Sequence, residues 1–143
     1  MSAQDLKVID YAAQTAHAWV NELTARLDWR SKRSALRLLR VTLHQIRDHL
    51  LVDELAQFSA QLPLLIRGML FEGWVPKNTP IKERKAAQFI ASIETALGET
   101  EEYRGAGDVR CVFDALNVHL TAGEIEDVRA SLPEDIRAMW PRP

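Results

Sequence analysis

Leu62-Pro63-Leu64-Leu65-Ile66-Arg67-Gly68-Met69 and Leu132-Pro133-Glu134-Asp135-Ile136-Arg137-Ala138-Met139 decide how this chain is read. They lie 70 residues apart and share a leucine, a proline, an isoleucine, an arginine and a methionine in register. Working outward with the same shift and no gap, His49-Leu50 falls on His119-Leu120, Glu54 on Glu124 and Ala60 on Ala130. Further upstream Arg40 meets Arg110, Trp19-Val20 meets Phe89-Ile90, Leu23 meets Ile93 and Leu27 meets Leu97. A periodic helix matches itself by chance over a turn or two. A match that passes through loops, a proline and an arginine points to an internal repeat.

Each unit reads as four helices. The first carries Trp19, Val20, Leu23 and Leu27 at helical spacing, and the second Leu36, Leu39, Leu43, Ile46 and Leu50. In the second copy that helix shows Val109, Phe113, Leu116 and Leu120. The third is short, with Leu55, Phe58 and Leu62 matched by Ile125, Val128 and Leu132. The fourth starts at the proline and holds Ile66, Met69 and Leu70, matched by Ile136, Met139 and Trp140. Pro63 and Pro133 have φ preset and no N–H, which suits the start of a helix. Each also turns the preceding leucine out of the α region, making a corner. Thr121-Ala-Gly-Glu124 has the form of a capping box, of which the first unit keeps only Glu54 because Leu51 stands in the threonine position. His49 and His119 sit where a second helix should end and its carbonyls lie free. Phe71 to Pro80 and Gly98 to Gly107 read as loops, and no alternating β-branched run suggests a strand. The expected fold is all-α: a compact bundle of about eight helices in two tandem, pseudo-symmetric units, residues 1–78 and 79–143, forming one domain.

Composition agrees. The 143 residues are 47% hydrophobic and 27% charged, with six glycines and six prolines, an ordinary globular balance that favours helix. A net charge of −2 gives no general attraction to nucleic acid or anionic lipid. A single cysteine, Cys111, excludes an internal disulfide and suits a reducing compartment. The opening Met-Ser-Ala-Gln-Asp-Leu-Lys has no apolar signal core, and the run Leu62–Ile66 is far too short to span a bilayer. The expected location is the cytoplasm, with no membrane attachment.

Where the copies differ, the first is the more apolar. Leu38, Leu51, Leu64 and Leu65 stand opposite Asp108, Thr121, Glu134 and Asp135. The fourth helix of the first unit is therefore apolar nearly all round, a pattern usual for helices buried on several sides. The favoured expectation is that the second unit covers this surface. The alternative is that a second copy of the chain or another protein does.

Leu36-Arg37, Leu43-His44, Ile46-Arg-Asp-His-Leu50, Ala60-Gln-Leu-Pro63, Ile66-Arg-Gly68 and Glu72-Gly-Trp74 resemble the bacterial family called domain of unknown function 2267. So does Ser92 to Trp140, including Thr121-Ala-Gly-Glu124-Ile-Glu-Asp-Val and Leu132-Pro-Glu-Asp-Ile-Arg-Ala-Met-Trp140. The resemblance runs from about Trp19 to Trp140. It implies a helical, cytosolic protein and brings no established activity, cofactor or catalytic residue. The second unit lacks a Glu-Gly-Trp segment, so a family surface around Trp74 would exist once.

The chain has no His-Glu-x-x-His, cysteine pair, Gly-x-Ser-x-Gly, phosphate loop or dinucleotide fingerprint. His44 and Asp48 lie four apart and read first as a solvated polar face, and Cys111 reads as a small core thiol. The expectation is a protein that is not an enzyme and uses no cofactor or metal. Arg67 and Arg137 sit within apolar runs, and Glu54 and Glu124 recur with them, so Glu54–Arg67 and Glu124–Arg137 are expected structural ion pairs. A partner or ligand surface is expected at Leu64, Leu65, Arg67, Phe71, Glu72 and Trp74, in an interaction or assembly module with a homodimer or another protein as partner. The runner-up is a small-ligand or nucleic-acid binder using Arg67, Trp74 and the basic loop 77–85, with Arg47 and Asp48 nearby. Nucleic acid is not the expected partner, because Glu83, Asp28 and the acidic second unit dilute the field.

Overall fold

A computed structural model describes residues 6–143. The reading of the first five residues therefore lies outside the described part. The elements are α1 (Lys7–Leu27), α2 (Lys32–His49), α3 (Val52–Gln61), α4 (Leu64–Leu70), α5 (Ala86–Leu97), α6 (Ala106–His119), α7 (Ala122–Ser131) and α8 (Glu134–Arg137), with one 3-10 turn at Pro76–Asn78. There is no strand among the described residues, and the fold is compact and all-α.

The helix bounds repeat the shift seen in the sequence. α3 and α7 correspond end to end at a shift of 70, α2 and α6 end at His49 and His119, and α1 and α5 end at Leu27 and Leu97. The residues just past those last two ends, Asp28 and Gly98, both have positive φ, 57° and 72°. Asp28 takes the left-handed helical conformation, which costs aspartate little, while Gly98, with ψ −162°, takes an extended conformation that favours glycine. The carbonyls of Leu27 and Leu97 are met by arginines from the opposite half: Arg104 donates to Leu27 O and Arg37 to Leu97 O. Glu102, in the loop after α5, accepts the N–H groups of Arg30 and Ser31 at 2.8 and 3.0 Å, closing the start of α2.

One apolar core draws on all eight helices: Leu23, Leu39, Leu55 and Ile66 from the first half, Phe89, Phe113, Ile125 and Ile136 from the second. α2 packs on α5, α1 on α6 and α3 on α7, so the halves meet broadly. The ring of Trp140 stacks on Phe113 with centroids 4.7 Å apart.

Two details depart from the sequence reading. α1 begins more than three turns earlier than Trp19, at Lys7, and its stretch Lys7–Thr15 has no helical counterpart, because the equivalent residues 77–85 form loop and 3-10 turn. The capping box is half made. Thr121 Oγ accepts from Glu124 N at 3.2 Å, but Glu124 Oε2 finds no hydrogen-bond donor.

Candidate interaction surface

α4 packs on α1, α2 and α3, all helices of the first half. Ile66 and Leu70 point into the core while Leu64 and Leu65 remain 59% and 42% exposed. This corrects the expectation that the second unit covers them. A seven-residue helix lying on one side of the bundle can bury only one stripe, however apolar its other residues are. Of the four apolar differences, Leu38 alone is fully buried, on the α2 face of the core. Leu51 is exposed, at the N-cap of α3.

Beside Leu64, the early turns of α1 present Val8 and Tyr11, each 70% exposed. Val8, Tyr11, Ala12, Leu62, Pro63 and Leu64 line an apolar groove of about 300 Å³ between α1 and α4. The sequence reading missed the α1 side. The signal was present as Val8, Ala12, Ala16 and Trp19 at three- and four-residue spacing, but the repeat has no equivalent there to draw attention to it.

The other expected surface residues are placed differently. Phe71 and Trp74 are half-buried against the core with ring centroids 5.2 Å apart. Glu72 accepts two hydrogen bonds from Arg40, both 3.0 Å. Arg67 does not pair with Glu54. Its Nε donates to Ser59 O at 2.9 Å, and its Nη2 to Leu62 O at 3.0 Å and, at 3.4 Å, to Ala60 O. Arg137 does the same one unit later, reaching Arg129 O and Leu132 O at 2.9 Å rather than Glu124. Both arginines thus satisfy the last carbonyls of the preceding helix. The proline corner sets this geometry, folding the next helix back across the end of the one before.

Arg47, which the sequence reading treated as an accessory, is buried, at 4% exposed. Its Nη1 donates to Leu70 O and Glu72 O at 2.8 and 2.7 Å, while Nε and Nη2 hold the Asp48 carboxylate. Arg47 lies on the apolar face of α2, four residues after Leu43 and three before Leu50, which was the available clue.

Groups considered for chemistry are similarly engaged. His44 Nε2 donates to Met69 O at 2.7 Å, and burial holds its pKa below the ordinary value. With Asp48 tied to Arg47, that pair is not a ligand set. Cys111 is half-buried near Arg26 O, and burial, then the carboxylates of Asp108 and Asp114, push its thiol up, away from the reactive thiolate. His49 Nδ1 donates to Gln45 O, while His119 stacks on Trp19 and meets Glu22 at 2.5 Å. No group of three metal-capable side chains converges among the described residues. A concavity of about 760 Å³ is walled by Asp28, Arg30, Ser31, Ser34, Glu101 and Glu102, and part of it is the cap on α2.

The helical fold, its paired proline corners and its arginine-capped helix ends define a class of small all-α protein, none of whose described helices is long and apolar enough to cross a membrane. Residues 16–139 match the family described as an uncharacterized conserved protein, DUF2267, and the chain belongs to that family. No curated protein matches it.

Proposed function

We propose that this protein is a non-catalytic cytoplasmic interaction module, built from a duplicated four-helix unit, whose groove between α1 and α4 closes against another protein surface. The simplest such surface is a second copy of the chain. The observation that supports this most is the concentration of exposed apolar side chains, Val8, Tyr11, Leu64 and Leu65, at the place where the two halves differ. Burying a leucine or valine is worth about 1.5–3 kcal/mol, so a few such anchors support a specific contact. The second half carries Glu134 and Asp135 at the positions of Leu64 and Leu65, and a loop where α1 has its extra turns, so the surface occurs once per chain.

Light scattering over a concentration series tests this. The mass should rise with concentration, and Leu65→Asp or Tyr11→Asp should return it to that of one chain while the helical circular dichroism stays unchanged. A single-chain mass at every concentration would remove the self-assembly reading. The ligand or nucleic-acid reading is left resting on the exposed Lys77, Lys82, Arg84 and Lys85, since Arg67 is occupied by carbonyls. Filter binding at low salt decides that reading.

A further inference from the structure

Glu54 and Glu124 occupy the same place in the two halves and meet where α3 packs on α7. Their carboxyls come close enough that a proton on one would be donated to the other. Glu124 is buried, and one oxygen of each carboxyl, Glu54 Oε2 and Glu124 Oε2, is shielded from water with no other donor in reach. The charged groups around them offer no relief. Asp127, from α7, adds a third negative charge, and the Ser131 hydroxyl reaches Glu54 Oε1 only at 3.4 Å while also donating to Asp127 O. Arg67 from α4 is spent on the carbonyls at the end of α3, and Arg137 from α8 on those at the end of α7. Arg129 of α7 holds Trp140 O and Glu126, and His119 at the end of α6 pairs with Glu22.

Two ionised carboxylates cannot hydrogen-bond to one another, because neither has a donor. Two oxygens in contact and cut off from water are satisfied if one proton lies between them, a carboxyl donating to a carboxylate. No three metal-capable side chains converge here among the described residues, and a single proton satisfies both shielded oxygens without any further ligand.

We propose that Glu54 and Glu124 share one proton across the α3–α7 seam, and that this proton is part of what joins the two halves of the molecule. Burial first, then the neighbouring carboxylates, pushes both groups above the ordinary carboxyl value of 4.5. The pair titrates as a unit, so the retained proton belongs to both.

The pH dependence has a definite sign. The folded pair binds the proton more tightly than the unfolded chain does, so its contribution is fully present below 4.5 and is lost as pH rises through the elevated folded value. Glu124→Gln replaces the shared proton by a fixed amide donor to Glu54, and the pair then no longer needs a proton. Within the window, the ratio of the wild-type to the variant unfolding constant should grow by about tenfold per pH unit. Thermal and urea unfolding of both proteins from about pH 4 to about pH 9 measures this difference. Contributions common to both, His44 included, cancel. Parallel curves for wild type and Glu124→Gln at every pH overturn the proposal. Carbon-detected NMR of the wild-type glutamate carboxyls gives a second readout that needs no variant. One carboxyl of the pair should stay protonated above the ordinary range, and ordinary titration of both overturns the proposal as well.

Discussion

Arg67 and Arg137 close the ends of α3 and α7, and Arg47 closes the end of α4. The equivalent carbonyl in the second half, Trp140 O, is also met by an arginine. There it is Arg129, from α7, because Asn117 stands where Arg47 would be and instead bonds Pro141 O and the Trp140 indole. A buried arginine that satisfies two carbonyls and a carboxylate leaves all three unpaired when removed. Arg47→Met should lower stability by about 3 kcal/mol in urea unfolding. Arg67→Met, which frees carbonyls nearer the surface, should cost about 1–2 kcal/mol. Equal effects of the two substitutions would contradict this ranking. The recurring arginine was legible in the sequence, but its partner was not, since a carbonyl carries no residue-specific signal. The expected Glu54 and Glu124 partners failed because like charges from the two units face each other.

At the level of single elements, α3 and α7 compare one design with two different N-caps. Leu51 and Thr121 have nearly the same backbone, φ −67° and ψ 155° against φ −69° and ψ 151°. The Thr121 side chain accepts the Glu124 N–H, whereas the Leu51 side chain has no acceptor to offer and lies exposed. Leu51→Thr should therefore supply the missing cap without strain and raise stability by about 1 kcal/mol, read as a shift of the urea midpoint at constant slope. A lowered midpoint would mean that Leu51 packs against something that its exposure does not reveal. Helix ends at proline corners and at His49 and His119 were correctly placed from sequence because local chemistry sets them. The start of α1 was not, since Leu6 at its N-cap makes no side-chain capping bond and no box announces it.

For the whole molecule, the cross-links between halves matter most. Glu102 lies on a loop of the second half yet caps α2 in the first, with two charge-assisted bonds at a helix N-terminus. Glu102→Ala should cost about 1–2 kcal/mol, and Glu102→Gln less, because the amide oxygen still accepts. Urea unfolding of the two variants checks this, and equal losses would argue against the cap.

The periodicity of the apolar stripes and the two prolines were enough to determine an all-α chain with corners at the right residues. Those properties depend on backbone sterics and on which side chains water rejects, and both are local. Only the tertiary structure decided that Leu64 and Leu65 stay in solvent, that Glu54 faces Glu124, and that Arg47 lies buried. These depend on which helix lies across which, a choice made by packing the whole core at once, and no stretch of sequence records it.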